Sequence, residues 1–212
     1  VAISYPMDLL AEFPGWTPDF DLFWRREQSR TAGGRTIVKD FGGPLWRLSA
    51  VSRALTINEL DAWRARLDAL EDGLQTFRGY SMSRSYPIAH PNGAWPTGEA
   101  FSGAGTIGSV GVNRKAVSLS GFPEGFQVSV GDMLRIGNQD LHRVIEARTV
   151  TALGNTSLLE IRPHLWPGVA AGAPVSVLRP YCIMAIEPGS IVSPADPSTS
   201  WGAISFRAME AR

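Results

Sequence analysis

Glycine and proline punctuate this chain from end to end. It has 22 glycines and 15 prolines in 212 residues, and the apolar runs between them are short. Chain breakers at that density leave room for short strands and turns but not for a bundle of long helices, so the sequence reads as mainly β. Hydrophobic residues make up 44% of the chain, enough for a real core. At this length neither disulfides nor a structural metal is needed to hold one. The single cysteine, Cys182, excludes an intrachain disulfide; within Tyr-Cys-Ile-Met-Ala-Ile it reads as a buried strand residue.

One segment breaks the β pattern. Thr56-Ile57-Asn58-Glu59 is a capping box, in which the Thr56 hydroxyl caps the Glu59 amide and Glu59 reaches back. Leu60, Trp63, Leu67, Leu70 and Leu74 then recur at alternating steps of three and four, the apolar stripe of one helix. The spacing predicts a helix over 57–72 with Gly73 as its stop. Around it, strands are expected at 20–26, 36–41, 45–54 and 75–83, with a hairpin loop at 28–35. The Pro- and Gly-rich stretch 85–102 reads as a linker by composition. A second block, 101–179, offers five short strands (116–119, 133–136, 141–149, 157–162 and 175–178) without any helical period. That pattern suggests a small closed barrel of OB or SH3-like type. Two last strands, 181–187 and 203–209, flank a Pro/Ser loop. They are expected to complete the first unit, which makes a hub of 1–98 and 180–212 interrupted by an inserted barrel that folds by itself.

The charge balance narrows the function classes. Lys plus Arg equals Asp plus Glu at 20 each, and no segment concentrates one sign strongly, which argues against a dedicated nucleic-acid binder. The positive charge is almost all arginine, the residue favoured at interfaces. No apolar stretch approaches the roughly 18 residues of a membrane span, and no signal segment opens the chain.

Candidate chemistry is sparse. Gly103-Ala104-Gly105-Thr106-Ile107-Gly108 matches G-x-G-x-x-G, but it lacks the preceding strand and following helix that phosphate binding needs, and reads as flexible chain. His90, His142 and His164 fit no zinc spacing, and His90, before Pro91, is expected to face solvent. There is no G-x-S-x-G elbow. Asp19 with Asp21, and Glu71 with Asp72, are candidate carboxylate pairs for glycosidase work, and they read as solvated faces. No catalytic residue, metal or cofactor is expected. Seven tryptophans are many for this length. Trp63 lies on the helix stripe, and Trp24 and Trp46 lie in strands. Trp95, Trp166 and Trp201 fall in loops beside Pro or Gly, where they are candidates for a partner surface, either a protein or a sugar.

Three stretches, taken in order, resemble a known family. The first is Gly42-Gly43-Pro-Leu-Trp46, a strand, then Thr56-x-x-Glu59-x-x-Ala62-Trp63 with Gly73 and Phe77. The second is Gly131-Asp132-Met-Leu-Arg-Ile-Gly137, Leu-His-Arg-Val144 and Leu-Glu-Ile161-Arg-Pro163. The third is the closing Gly202-Ala-Ile-Ser-Phe206-Arg-Ala208-Met-Glu210-Ala211. Together they are similar to a distal tail protein of a long-tailed bacteriophage or related gene transfer agent. The resemblance implies a tail-tube-like β-sandwich hub with one flanking helix and a small projecting β-domain. It also implies a ring of six copies joining the tail tube protein to the tail-tip hub protein, within a virion assembled in the bacterial cytoplasm, and no enzymatic activity. The rival readings are a tail-tip cell-wall hydrolase and a monomeric carbohydrate-binding module.

A ring needs two different patches per subunit. The hairpin Gln-Ser-Arg-Thr-Ala-Gly-Gly-Arg at 28–35 is too polar for core and has no tight two-residue turn. It is therefore the expected clasp, reaching a neighbouring copy from flanking strands 20–26 and 36–41. Arg25, Arg26, Arg30 and Arg35 are the candidate interface residues, with Glu27 and Asp40 as possible partners.

Overall fold

The computed structural model describes residues 3–212. In chain order the strands are β1 (Gly15–Phe23), β2 (Arg26–Arg30), β3 (Thr36–Asp40), β4 (Leu45–Ser52) and β5 (Leu55–Thr56). Helix α1 (Ile57–Asp68) follows, then β6 (Thr76–Gly79), β7 (Ala104–Val110), β8 (Ala116–Ser120), β9 (Gln127–Val128), β10 (Met133–Ile136), β11 (Asp140–Val144), β12 (Arg148–Thr149), β13 (Leu159–Arg162) and β14 (Pro174–Ser176). The chain closes with β15 (Cys182–Ile186), β16 (Ala195–Asp196), β17 (Trp201–Gly202) and β18 (Ser205–Glu210). Among the described residues the protein is mainly β with one α-helix. No helix among the described residues is long and apolar enough to cross a membrane.

The largest sheet is antiparallel with order β1-β4-β18-β15-β6, so it draws strands from both ends of the chain. Alternation decides its core face. Trp46, Leu48 and Ala50 of β4 point inward with Phe206 and Ala208 of β18, Cys182, Met184 and Ile186 of β15, and Phe77 of β6. Helix α1 buries Leu60, Trp63 and Leu67 in the same core. Pro18 falls on β1, an edge strand where a missing N–H is tolerated, and the pairing register slips between Trp16 and Asp19. The capping box forms as expected: the Thr56 N–H donates to Glu59 at 2.9 Å and the Thr56 side chain accepts from the Glu59 amide. The helix ends earlier than its stripe, at Asp68. Leu70 still packs in the core, but Glu71 and Asp72 take positive φ in a short 3-10 turn, and Leu74 is left exposed.

Between β6 and β15 the chain forms a closed six-stranded barrel, order β10-β11-β13-β8-β7-β14. Its core holds Phe122, Phe126, Leu134, Ile136, Leu159 and Ile161. Two expectations are corrected here. The glycine-rich 103–108 stretch is not flexible chain: it is most of β7, the sixth barrel strand. The glycines suit it because a Cβ on Gly105 would lie 2.2 Å from the Phe122 ring and 2.7 Å from the Ser120 carbonyl. Nor is 85–102 a free linker. His90 is buried against Phe126, with ring centroids 4.5 Å apart. Its Nε2 accepts the Gln127 N–H at 2.9 Å, so its Nδ1–H donates to the Ala94 carbonyl at 3.1 Å. Trp95 packs on the same barrel core. Barrel and sheet also share contacts. Leu141 of β11 belongs to the sheet's core, its carbonyl accepts the Trp46 indole N–H at 2.8 Å, and Arg143 pairs with Asp21 at 2.8 Å.

Candidate interaction surface

The hairpin β2–β3 stands as a two-stranded sheet of its own. Its strands are Arg26–Arg30 and Thr36–Asp40, paired from Arg26↔Asp40 to Arg30↔Thr36. The expected flank at 20–26 is corrected: residues 20–23 are the end of β1, which pairs with β4 rather than with the arm, and only Arg26 belongs to the arm strand β2. The tip closes on itself, because the Thr31 N–H donates to the Arg35 carbonyl and the Gly34 N–H to the Thr31 carbonyl, each at 2.9 Å. The arm therefore satisfies its inner backbone groups without a neighbour. What it leaves open is side chain. All ten strand residues are exposed, including Ile37 at 50% and Val38 at 57%, with Phe41 at 51% just beyond. An isolated two-stranded ribbon is at best marginal in water, and among the described residues no third strand pairs with this one.

The root of the arm is built rather than loose. Arg25 Nε donates to the Gly43 carbonyl at 3.1 Å, the Phe41 N–H to the Arg25 carbonyl at 2.9 Å, and the Gly42 N–H to Asp40 at 3.1 Å. Gly42 has φ +129, a conformation that favours glycine, and it lies against the Arg25 guanidinium, 2.5 Å from where a Cβ would be. Gly43 faces the Trp166 ring, 3.2 Å from where its Cβ would be. Trp24, Arg26, Asp40, Gly43, His164 and Trp166 are among the residues lining a cavity of about 320 Å³ between root and barrel. His164 is held below the usual imidazole range, first by partial burial and then by Lys115 and Arg162.

The sequence candidates divide. Arg25 is spent on the root. Arg26 pairs with Asp40 of its own arm at 3.7 Å and stacks over Trp24 at 4.5 Å. Arg30, opposite Thr36, and Arg35, at the tip, are exposed and have no ion-pair partner among the described residues. From Arg25 to Phe41 there are five basic residues and two acidic ones, so the arm is net +3 and the rest of the chain net −3. The three loop tryptophans do not meet on one face. Trp95 is half-buried on the barrel core. Trp166 is half-buried under the Arg212 guanidinium at 3.7 Å. Trp201 is exposed in β17, paired with Thr56. The aromatic that joins the arm is Trp24, which a strand assignment could not distinguish from a core residue.

No family model matches the chain, and the search of curated proteins finds no significant match.

Proposed function

We propose that this chain is a non-enzymatic structural subunit, a distal tail protein whose copies close head-to-tail into a six-membered ring between a tail tube and a tail-tip hub. The three ordered sequence stretches support the family. The observation that carries assembly is the arm: ten exposed strand residues with apolar Ile37 and Val38, a fixed root, and a net positive charge opposite in sign to the rest of the chain. A self-complementary charge split of this kind suits a heterologous contact between copies, which closes as a ring when the rotation allows. Negative-stain imaging with native mass spectrometry of the purified chain tests it. The expected result is a ring for the wild type and a folded monomer when Ser29–Gly34 is replaced by an Asn-Gly turn. A wild-type monomer, or an unchanged ring in the shortened protein, overturns the clasp.

The cavity between Trp24 and Trp166 favours a second reading, a monomeric carbohydrate-binding module. Glycan binding by a monomer would select it. Clearing of host peptidoglycan that vanishes on replacing one carboxylate would instead establish a hydrolase.

A further inference from the structure

The ring reading makes no use of three arginines gathered where the sheet meets the barrel. Arg78 comes from β6, Arg135 from β10, and Arg179 from the chain just after β14. The Arg135 and Arg78 guanidinium carbons lie 4.3 and 5.1 Å from the centroid of the Tyr181 ring, and that of Arg179 lies 5.7 Å from the Tyr80 ring. Asp8, Arg78, Tyr80, Ser85, Arg179 and Tyr181 line a cavity of about 380 Å³.

The charges in this cluster are not balanced. Among the described residues none of the three arginines has an ion-pair partner. The Nε atoms of Arg78 and Arg135 are buried without an acceptor. The one carboxylate on the wall, Asp8, already accepts the Tyr80 hydroxyl at 3.1 Å. Burial and then Asp8 push the Tyr80 phenol up to about 12, so it remains a protonated donor. The backbone is held in an unfavourable state as well. Arg179 has φ +38, in the left-handed region, and its N–H donates to the Ser85 carbonyl at 2.9 Å. A non-glycine residue held at positive φ is a cost to the fold alone.

An oxyanion in the cavity would give the Arg78 and Arg179 guanidinium groups on its wall the charge partner they lack. Guanidinium groups present flat forks of N–H donors that match oxyanions. The cavity wall carries two arginines, Arg78 and Arg179, and one aspartate, while Arg135 lies outside it at the Tyr181 ring; two guanidinium forks suit the several oxygens of a phosphate better than the two of a carboxylate. We infer that this cavity is a binding site for a phosphate group, held by Arg78 and Arg179, with Arg135 fixing Tyr181 from the barrel side.

Isothermal titration of the full chain with inorganic phosphate at low salt, with sodium acetate as the comparison, tests the site. The expected result is saturable one-to-one phosphate binding that weakens as salt rises. Binding should fall about tenfold or more in R179Q, and the R78Q/R179Q double variant should bind none. R179G separates function from folding: glycine accepts positive φ, so this variant melts at or above the wild-type temperature in phosphate-free buffer yet loses the phosphate-induced rise in Tm. No saturable phosphate binding, or binding unchanged in R78Q/R179Q, overturns the proposal. Equal or tighter binding of acetate overturns the phosphate assignment and makes this a carboxylate site.

Discussion

His142 lies on β11 with no solvent exposure. Its Nδ1–H donates to the Pro163 carbonyl at 2.9 Å, and its Nε2 is buried without a partner. Burial, the dominant cause, pushes it down to about 4; the Pro163 carbonyl opposes that shift and Arg212 adds to it. Unfolded, the same imidazole titrates near 6.5. Between those values the unfolded chain binds a proton that the folded chain refuses, so this contribution is complete above pH 6.5 and is lost as pH falls toward 4. The window corresponds to roughly 3 kcal/mol. Asp132 and Glu210, raised chiefly by burial, carry the opposite sign: what they contribute is lost as pH rises through their raised values. H142N keeps a donor near Nδ1 and does not titrate. It should be less stable than wild type at pH 7 but show a flatter stability profile from pH 6.5 to 4, read by urea unfolding at each pH. Parallel profiles would assign the acid sensitivity elsewhere. The sequence shows only a histidine in an alternating strand; its acceptor lies 21 residues further on, across a strand pair that no local pattern specifies.

Elements were legible where their determinants are local. The start of α1 is set by four consecutive residues and could be read from them; its end could not, because Leu74 keeps the spacing after Glu71 and Asp72 have already left the helix. Strand β7 shows the limit from the other side. Three glycines in six residues look like flexible chain, yet Gly105 is needed where it is because the backbone of β7 passes close to Phe122 and Ser120. Tertiary contact overrides the weak strand preference of glycine. Gly105→Ala should therefore destabilise the protein by about 1–3 kcal/mol, the usual cost of overpacking. Chemical denaturation checks it: a neutral result would mean that β7 shifts away from Phe122 at no cost. The arm is the intermediate case. Its polar tip and its strand at 36–41 can be read from composition, but the register Arg26↔Asp40, which makes it a separate sheet, is a pairing that local sequence does not fix.

At the scale of the molecule, the question is which residues belong to the barrel as a folding unit. Composition places a linker at 85–102 and starts the barrel at 101. The packing assigns part of that stretch to the barrel itself. Trp95 lies edge-on to Phe101 at 5.2 Å, and His90 stacks on Phe126 and accepts the Gln127 N–H. The Ile88 N–H donates at 2.7 Å to Asp132, which is buried and also takes the Ser129 N–H at 2.7 Å. A fragment of residues 101–179 would lose the aromatic cover on Phe126 and one hydrogen bond to a buried carboxylate. A fragment of residues 86–179 keeps both. Opening the aromatic cluster and leaving Asp132 underbonded together cost on the order of 3 kcal/mol. In a domain of this size that corresponds to a fall in Tm of about 10–20 °C. Both fragments also lose the Trp46 contact to Leu141, so that term cancels in the comparison. Melting curves by circular dichroism, with a hydrophobic dye to report the uncovered aromatic face, measure the difference. The longer fragment should melt well above the shorter one and bind less dye. Equal melting temperatures would mean that His90 and Trp95 only lean on a barrel that holds its own core, and that the unit starts at residue 101 after all.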